Sequence, residues 1–594
     1  MSQRGQGDPD GALDIGTRPA LCWAHSRESR LGLREIPILD LGRQAMATSR
    51  KPWILSAALV TIIIMAAACS PGGKRAPEKT APVKFPLEEK SIAELQEMMT
   101  SGTATSESLV TLYLKRIDEI DRNGPGLNAV IETNPDAPAI ARDLDRERRE
   151  KGPRGPLHGV PVLIKDNIDT ADKMETTAGS LALLGSKPVR DAFVAERLRA
   201  AGAVIIGKTN LSEWANFRSS RSSSGWSGRG GQTHNPYALD RNPSGSSSGS
   251  AAAVAASLAA AGVGTETDGS IVSPASVCGI VGIKPTVGLV SRSGIVPIAH
   301  SQDTAGPMAR TVADAATLLG AMTGIDPSDP ATKESKGRSL TDYREFLKPG
   351  GLRGARIGVL RADSFNFSPK LAPVLRAAVE AMKKEGAEVV DPVEFPTLGK
   401  TGGSEYEVLL YEFKADLAAY LAARPGAAIR GVADLIEFNR KNADREMPFF
   451  GQEVLEEAVK KGPLTDKAYR DALAKDHDLM RAKGIDAVLA KHKLDALVVL
   501  TNGPAHMTDL VNGDRDTGGS SSLAAVAGYP SITLPAGWID GLPVGISFIG
   551  KAWSEPALVK LAFGLEQALG MRKPPRLNPT ADIPFSGLVP TISK

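Results

Sequence analysis

Between Asn242 and Pro285 the chain reads NPSGSSSGSAAAVAASLAAAGVGTETDGSIVSPASVCGIVGIKP, a density of serine hydroxyls among small residues that suits nucleophilic chemistry or anion binding. GSSSGS runs straight into AAAVAASLAAA, a strong helix former behind a serine cap, which argues against a flexible linker. A phosphate cradle at that helix start would show GxxxxGKS, GxxxxGKT or GxGxxG, and none is present. Read loosely, Gly245-Ser246-Ser247-Ser248-Gly249 matches the GxSxG elbow of α/β-hydrolases. That elbow needs a downstream acid and histidine, and none of the seven histidines stands in a context that singles it out. Upstream, HGVPVLIKDN from His158 to Asn167 sets Lys165 at the end of an apolar run, as on a buried strand. Taken alone, that lysine reads as solvated or paired with Asp166.

The elements that must position these residues are read from hydrophobic period. Ser91-Ile92-Ala93-Glu94 has capping-box spacing, with Leu95, Met98 and Met99 behind it, and Leu109, Leu112, Tyr113, Ile117 and Ile120 repeat at helical steps after Thr105. Short apolar runs bounded by Gly, Pro or Asn predict buried strands at Val160 to Ile164, Val204 to Ile206, Ile357 to Leu360, Leu497 to Leu500, Ile532 to Leu534 and Val544 to Phe548. The pattern is α/β, a mostly buried sheet covered by helices, with residues 400 to 480 reading as an inserted helical cap. There is no fixed-period repeat. At 594 residues the chain exceeds one ordinary core, so it holds two to four domains or one large elaborated domain. Hydrophobic residues at 42% and charged residues at 23% exclude a disordered, collagenous or polytopic membrane chain. A net charge of +3 and no basic block argue against nucleic acid as a partner. Cys22, Cys69 and Cys278 form neither a disulfide framework nor a zinc cluster, so no structural metal is expected.

Gly245-Ser246-Ser247, then Ser270 twenty-four residues beyond Ser246 within GTETDGSI, then CGIVGIKPT, resembles the core signature of the amidase signature family. HGVPVLIKDN resembles that family's lysine-bearing strand, and AGYPSITLPAGWIDGLPVGISFIGKAWSE resembles its closing strands, so the likeness runs from about residue 87 to 575. Three separated motifs in the right order make chance negligible. The resemblance implies a single large α/β domain, with a mixed central sheet covered by helices on both faces and helical insertions. It implies a serine nucleophile, Ser270, a relay serine, Ser246, and a neutral Lys165 as base, with no cofactor and no metal. Such a lysine must be kept about 3 pH units or more below its ordinary value near 10.4, which burial favours. It further implies a cis bond between Gly245 and Ser246, and an oxyanion hole of main-chain N–H groups from Thr267, Asp268, Gly269 and Ser270.

Two departures bear on substrate. Where many members read GTDxGGSIR, this chain has Glu266 for the aspartate, Asp268 for the first glycine of the pair and Val272 for the arginine. Asp268 either contacts substrate through its carboxylate or pairs with a neighbour. GTETDGSIV together with SEWANFRSSRSSSGWSGRGGQTHNPY is similar to the peptide amidase branch, whose members remove the C-terminal amide of peptides and release ammonia. Trp214 and Trp226 either line a peptide cleft or belong to the core. The expected function is hydrolysis of carboxamide C–N bonds through an acyl-enzyme, on a peptide or small-molecule amide. The rivals are a transamidase subunit supplying ammonia from glutamine for charged-tRNA modification, and an inactive surface binding lipoprotein. The spacing of motifs leaves oligomeric state open.

At the N-terminal end, Ile54 to Ala68 is an apolar run of fifteen residues behind Arg50 and Lys51. It is short of the about 20 residues of a membrane helix and fits a secretory signal. Ala66-Ala67-Ala68-Cys69 resembles the lipobox of bacterial lipoproteins, with Ala66 in place of the usual leucine. Cys69 is therefore the expected lipidation site of an exported envelope protein whose membrane contact is that anchor alone, the alternative being a periplasmic or secreted protein. The expected organisation is an untranslated upstream extension over 1–45, a signal over 46–68 beginning at Met46, a proline-rich tether over 69–86, a catalytic domain over 87–578 and a tail over 579–594.

Overall fold

The computed structural model describes residues 85–583 apart from 362–364, 366 and 516. The expectations for Met46, the signal, Cys69 and most of the tether lie outside those residues. Leu87 is the first core residue, fully buried, and it opens a turn that leads into the helix Ile92–Thr100. The cap of that helix is the expected reciprocal pair: Ser91 Oγ accepts the Glu94 N–H at 3.2 Å, and Glu94 Oε2 accepts the Ser91 N–H at 2.8 Å. Thr105 caps Ser106–Arg116 in the same way through Ser108.

Thirteen strands come in chain order: β1 Val130–Thr133, β2 Pro161–Lys165, β3 Val204–Thr209, β4 Trp226–Ser227, β5 Gly231–Gln232, β6 Ala261–Glu266, β7 Val281–Lys284, β8 Thr304–Ala309, β9 Arg356–Val359, β10 Glu388–Val390, β11 Ala496–Leu500, β12 Ser531–Ile539 and β13 Leu542–Ile549. Eleven form one sheet in the order β1-β3-β2-β6-β8-β7-β12-β13-β11-β9-β10, and β4 pairs with β5 apart from it. The sheet is mixed. β2 runs parallel to both β3 and β6, the centre from β6 to β11 is antiparallel, and β11, β9 and β10 are parallel again. All six strands expected from apolar runs are present. Their residues are buried on both faces in β2, β3, β11 and β13, as helices covering a sheet on two sides require.

The helical segment lies between β10 and β11. It contains Gly402–Ala422, Val432–Lys441, Glu453–Ala458 and Lys467–His477. Its apolar face shares one cluster with the α/β body, in which Leu410, Phe413 and Leu435 pack with Trp214, Phe217 and Ile298. Among the described residues no helix is long and apolar enough to cross a membrane.

Candidate active site

Lys165 is the last residue of β2 and is fully buried. Alternation along the strand turns Asp166 the other way, where it accepts from Thr177 Oγ1 and pairs with Arg229 Nη1 at 3.1 Å. The pairing of Lys165 with Asp166, open from sequence alone, is thereby removed. Lys165 Nζ lies 2.8 Å from Ser246 Oγ, 2.9 Å from Thr265 Oγ1 and 3.2 Å from Thr265 O. Asn167 Nδ2 donates to the same Thr265 hydroxyl at 3.0 Å. Burial pushes the Lys165 ammonium down to about 7, against weaker opposing pulls from Asp303 and Glu266.

Ser246 is fully buried and comes after a cis Gly245–Ser246 peptide bond. Glycine is required before it, because a Cβ at 245 would lie 2.2 Å from Ser212 Oγ. The expected serine cap of the next helix, Ser248–Ala255, is not formed: Ser247 occupies the cap position without capping. Its Oγ instead donates to Thr265 O at 3.0 Å and accepts the Thr265 N–H at 3.1 Å, which fastens the serine segment to β6. The helix is wholly buried and ends at Ala255, short of the full alanine run.

Ser270 stands in the turn between β6 and the short helix Val272–Val277. Its carbonyl accepts the Ser247 N–H at 3.1 Å, so one bond joins the Ser246 and Ser270 segments. Glu266, the residue in place of the common aspartate, accepts the Ile271 and Val272 N–H groups at 2.7 and 3.0 Å. Gly269 takes φ +80° against Ser521, whose Oγ would be 2.9 Å from a Cβ there. The main-chain N–H groups of Thr267, Asp268, Gly269 and Ser270 have no acceptor among the described residues. Such orphan donors beside a cavity are what an oxyanion site presents. Thr267 Oγ1 donates to Asp303 Oδ1 at 2.6 Å, and burial pushes the Asp303 carboxyl up to about 6.

These residues wall a cavity of about 170 Å³. Phe217, Ile298 and Leu409 supply apolar surface, and Asn502, His506 and Asp514 supply polar groups. Trp214, Ala215 and Asn216 leave β-strand and helical conformations for three successive positive φ values, 49°, 53° and 71°, and Ala215 and Asn216 line the cavity. Of the two tryptophans, neither lines it. Trp214 is core, and Trp226 is buried edge-on against Phe449 and Phe450. Asp268 pairs with a neighbour, since Ser522 Oγ donates to its Oδ2 at 2.6 Å.

Sequence reasoning missed Thr265, Asn167, Asp303 and Glu405, the last of which also lines the cavity. Asn167 sat within the quoted lysine motif. The other three are separated from it in sequence and carried no local signal. His300, Glu412 and Asp416 bring possible ligand atoms within 4.8 Å of one another. His300 Nδ1 is 2.8 Å from Asp416 and Nε2 3.4 Å from Glu412, while Tyr469 and the Ser301 N–H also bond Glu412, so the trio reads as an ion-pair network rather than a metal ligand set. Cys278 is buried and free, its thiol pushed up by burial away from reactivity.

The Amidase family model matches residues 108–559. A probable amidase from Arabidopsis thaliana is 44% identical over 501 residues, covering 83% of this chain and 92% of its own. The native peptide amidase of Stenotrophomonas maltophilia superposes with a TM-score of 0.80 at 53% identity, over 83% of this chain and 99% of that one. One subunit of the glutamyl-tRNA(Gln) amidotransferase of Roseiflexus castenholzii is 35% identical over 488 residues, covering 80% and 95% of the two chains. Motif order, the eleven-stranded mixed sheet and a family match over most of the chain agree, and the protein belongs to the amidase family.

Proposed function

We propose that this amidase hydrolyses the C-terminal amide of peptides, or amino-acid amides, through an acyl-enzyme on Ser270. The reading rests above all on the buried Lys165 amine 2.8 Å from Ser246 Oγ. A neutral amine has two N–H donors and one lone pair. Thr265 O and Thr265 Oγ1 take the donors, which leaves the lone pair for the Ser246 hydroxyl proton. Ser270 Oγ attacks the amide carbonyl carbon as its proton passes to Ser246 Oγ and the Ser246 proton passes to Lys165 Nζ. The oxygen that gains negative charge is held by the N–H groups of Thr267 to Ser270. The C–N bond then breaks, the nitrogen takes the proton back along the same relay, and ammonia leaves. Water attacks the ester by the same route and releases the carboxylic acid.

The peptide substrate class is supported by the likeness to peptide amidases, one of them in complex with the competitive inhibitor chymostatin at 54% identity and a TM-score of 0.81, over 83% of this chain and 100% of that one. The test is ammonia release from peptide amides, amino-acid amides, aliphatic amides and glutamine, with Ser270→Ala alongside. Release from peptide amides that vanishes in the variant is the expected outcome. Turnover of glutamine alone would move the reading to the transamidase relatives, and binding without turnover to a binding protein. We also propose that the chain is exported and anchored by lipid on Cys69, supported by the apolar run and small residues before that cysteine.

A further inference from the structure

Glu405 enters the active-site cavity from the helical segment, on the first turn of Gly402–Ala422, and is buried against the Ser270 loop. Its hydrogen bonds can be assigned by elimination. Gln302 Nε2 donates to Glu405 Oε1 at 3.2 Å and to Thr267 O at 3.3 Å, so one Glu405 oxygen is an acceptor. The carboxyl also bonds the Asp268 carboxyl, across the cavity wall. Asp268 Oδ2 already takes the Ser522 hydroxyl proton at 2.6 Å, while its Oδ1 is buried with no other donor among the described residues. Two carboxyl groups in contact, both away from water, with no cation in ion-pair contact with either among the described residues, hold a shared proton rather than two charges.

We infer that Glu405 is a protonated positioning residue, donating its carboxyl hydrogen to Asp268 and thereby clamping the helical segment onto the main-chain donors of the oxyanion loop. This rests on the amidase reading above. The groups facing Glu405 are Asp268 on the loop and Asp476 on Lys467–His477, the latter held by Ser404 Oγ at 2.5 Å, and both disfavour its ionisation after burial has done so. Loss of the proton at alkaline pH would set two buried negative charges against each other and loosen the loop where the oxyanion forms.

The experiment compares wild type, Glu405→Gln and Glu405→Ala on a peptide amide across the pH range, together with infrared difference spectra of wild type against Glu405→Gln at about pH 8. Glutamine keeps a donor toward Asp268 and an acceptor for Gln302. The expected results are a protonated-carboxyl band that Glu405→Gln removes, an alkaline fall in kcat present in wild type and absent in Glu405→Gln, and a kcat loss of about tenfold or more in Glu405→Ala with a smaller change in KM. Equal losses in the two variants, an alkaline limb unchanged in Glu405→Gln, or no protonated-carboxyl band would overturn the inference. A wild type that releases no ammonia from any amide would instead overturn the amidase reading, and the positioning role with it.

Discussion

At the scale of residues, the site turns on a lysine that water does not reach. Burial holds the Lys165 amine near 7 rather than 10.5, so acylation should rise with pH through about 7 and level off above it. Lys165→Ala should remove that limb and lower kcat/KM by about 10²–10⁴. The pH–rate profile under single-turnover conditions reads both, and an unchanged acid limb in the variant would take lysine out of the mechanism. The same shift acts on stability with a definite sign. Between about 7 and 10.5 the unfolded chain holds a proton that the folded chain lacks, so this group's contribution is least favourable below about 7 and improves as pH rises through that window. Asp303, Thr265 and Asn167 belong to this scale too, and nothing near them in sequence marks them. They reach the lysine only because β2, β6 and β8 are neighbours.

At the scale of elements, the serine segment is seated by glycines rather than by capping. β6 reads AGVGTE, with too few large side chains to stand out as a strand, because the buried helix Ser248–Ala255 approaches its backbone directly. A Cβ at Gly264 would lie 2.7 Å from Ser247 Oγ and 2.7 Å from Met308 Sδ. Gly264→Ala should therefore destabilise the fold by about 1–3 kcal/mol, and should lower kcat by shifting Ser247 and with it Ser246. Urea unfolding together with kinetics on the folded variant would check it, and a variant of wild-type stability would show that the helix can move away at no cost. The strands that were legible, β2, β3, β9, β11, β12 and β13, carry runs of Val, Ile and Leu. Those that were not, such as β6 and β8 (TAGPMA), are dense in Gly, Ala, Thr and Pro, which carry little hydrophobic pattern. The capping boxes at Ser91 and Thr105 were legible because both partners sit three residues apart in sequence.

At the scale of the whole molecule, the helical segment between β10 and β11 is part of the site. It brings Glu405, Tyr406 and Leu409 to the cavity, and its Phe413 ring packs against Phe217 with centroids 5.1 Å apart. The proposed export belongs to this scale as well. In a bacterial host the mature protein should fractionate with the envelope, carry lipid on Cys69 by mass spectrometry, and lose both in Cys69→Ala, whereas an unmodified Cys69 would remove the anchor. The sequence by itself determined the α/β class, the family, and the placement of Lys165, Ser246 and Ser270 in their motifs, because each rests on local spacing and on apolar runs that need no partner to be read. Only the tertiary structure decided that Asp268 pairs with Ser522 and Glu405, that Trp214 and Trp226 are core, and that Glu266 holds the Ser270 loop by its main chain. A side chain's partner depends on which strands become neighbours and how far a helix approaches, and those distances are set by packing between segments far apart in the chain.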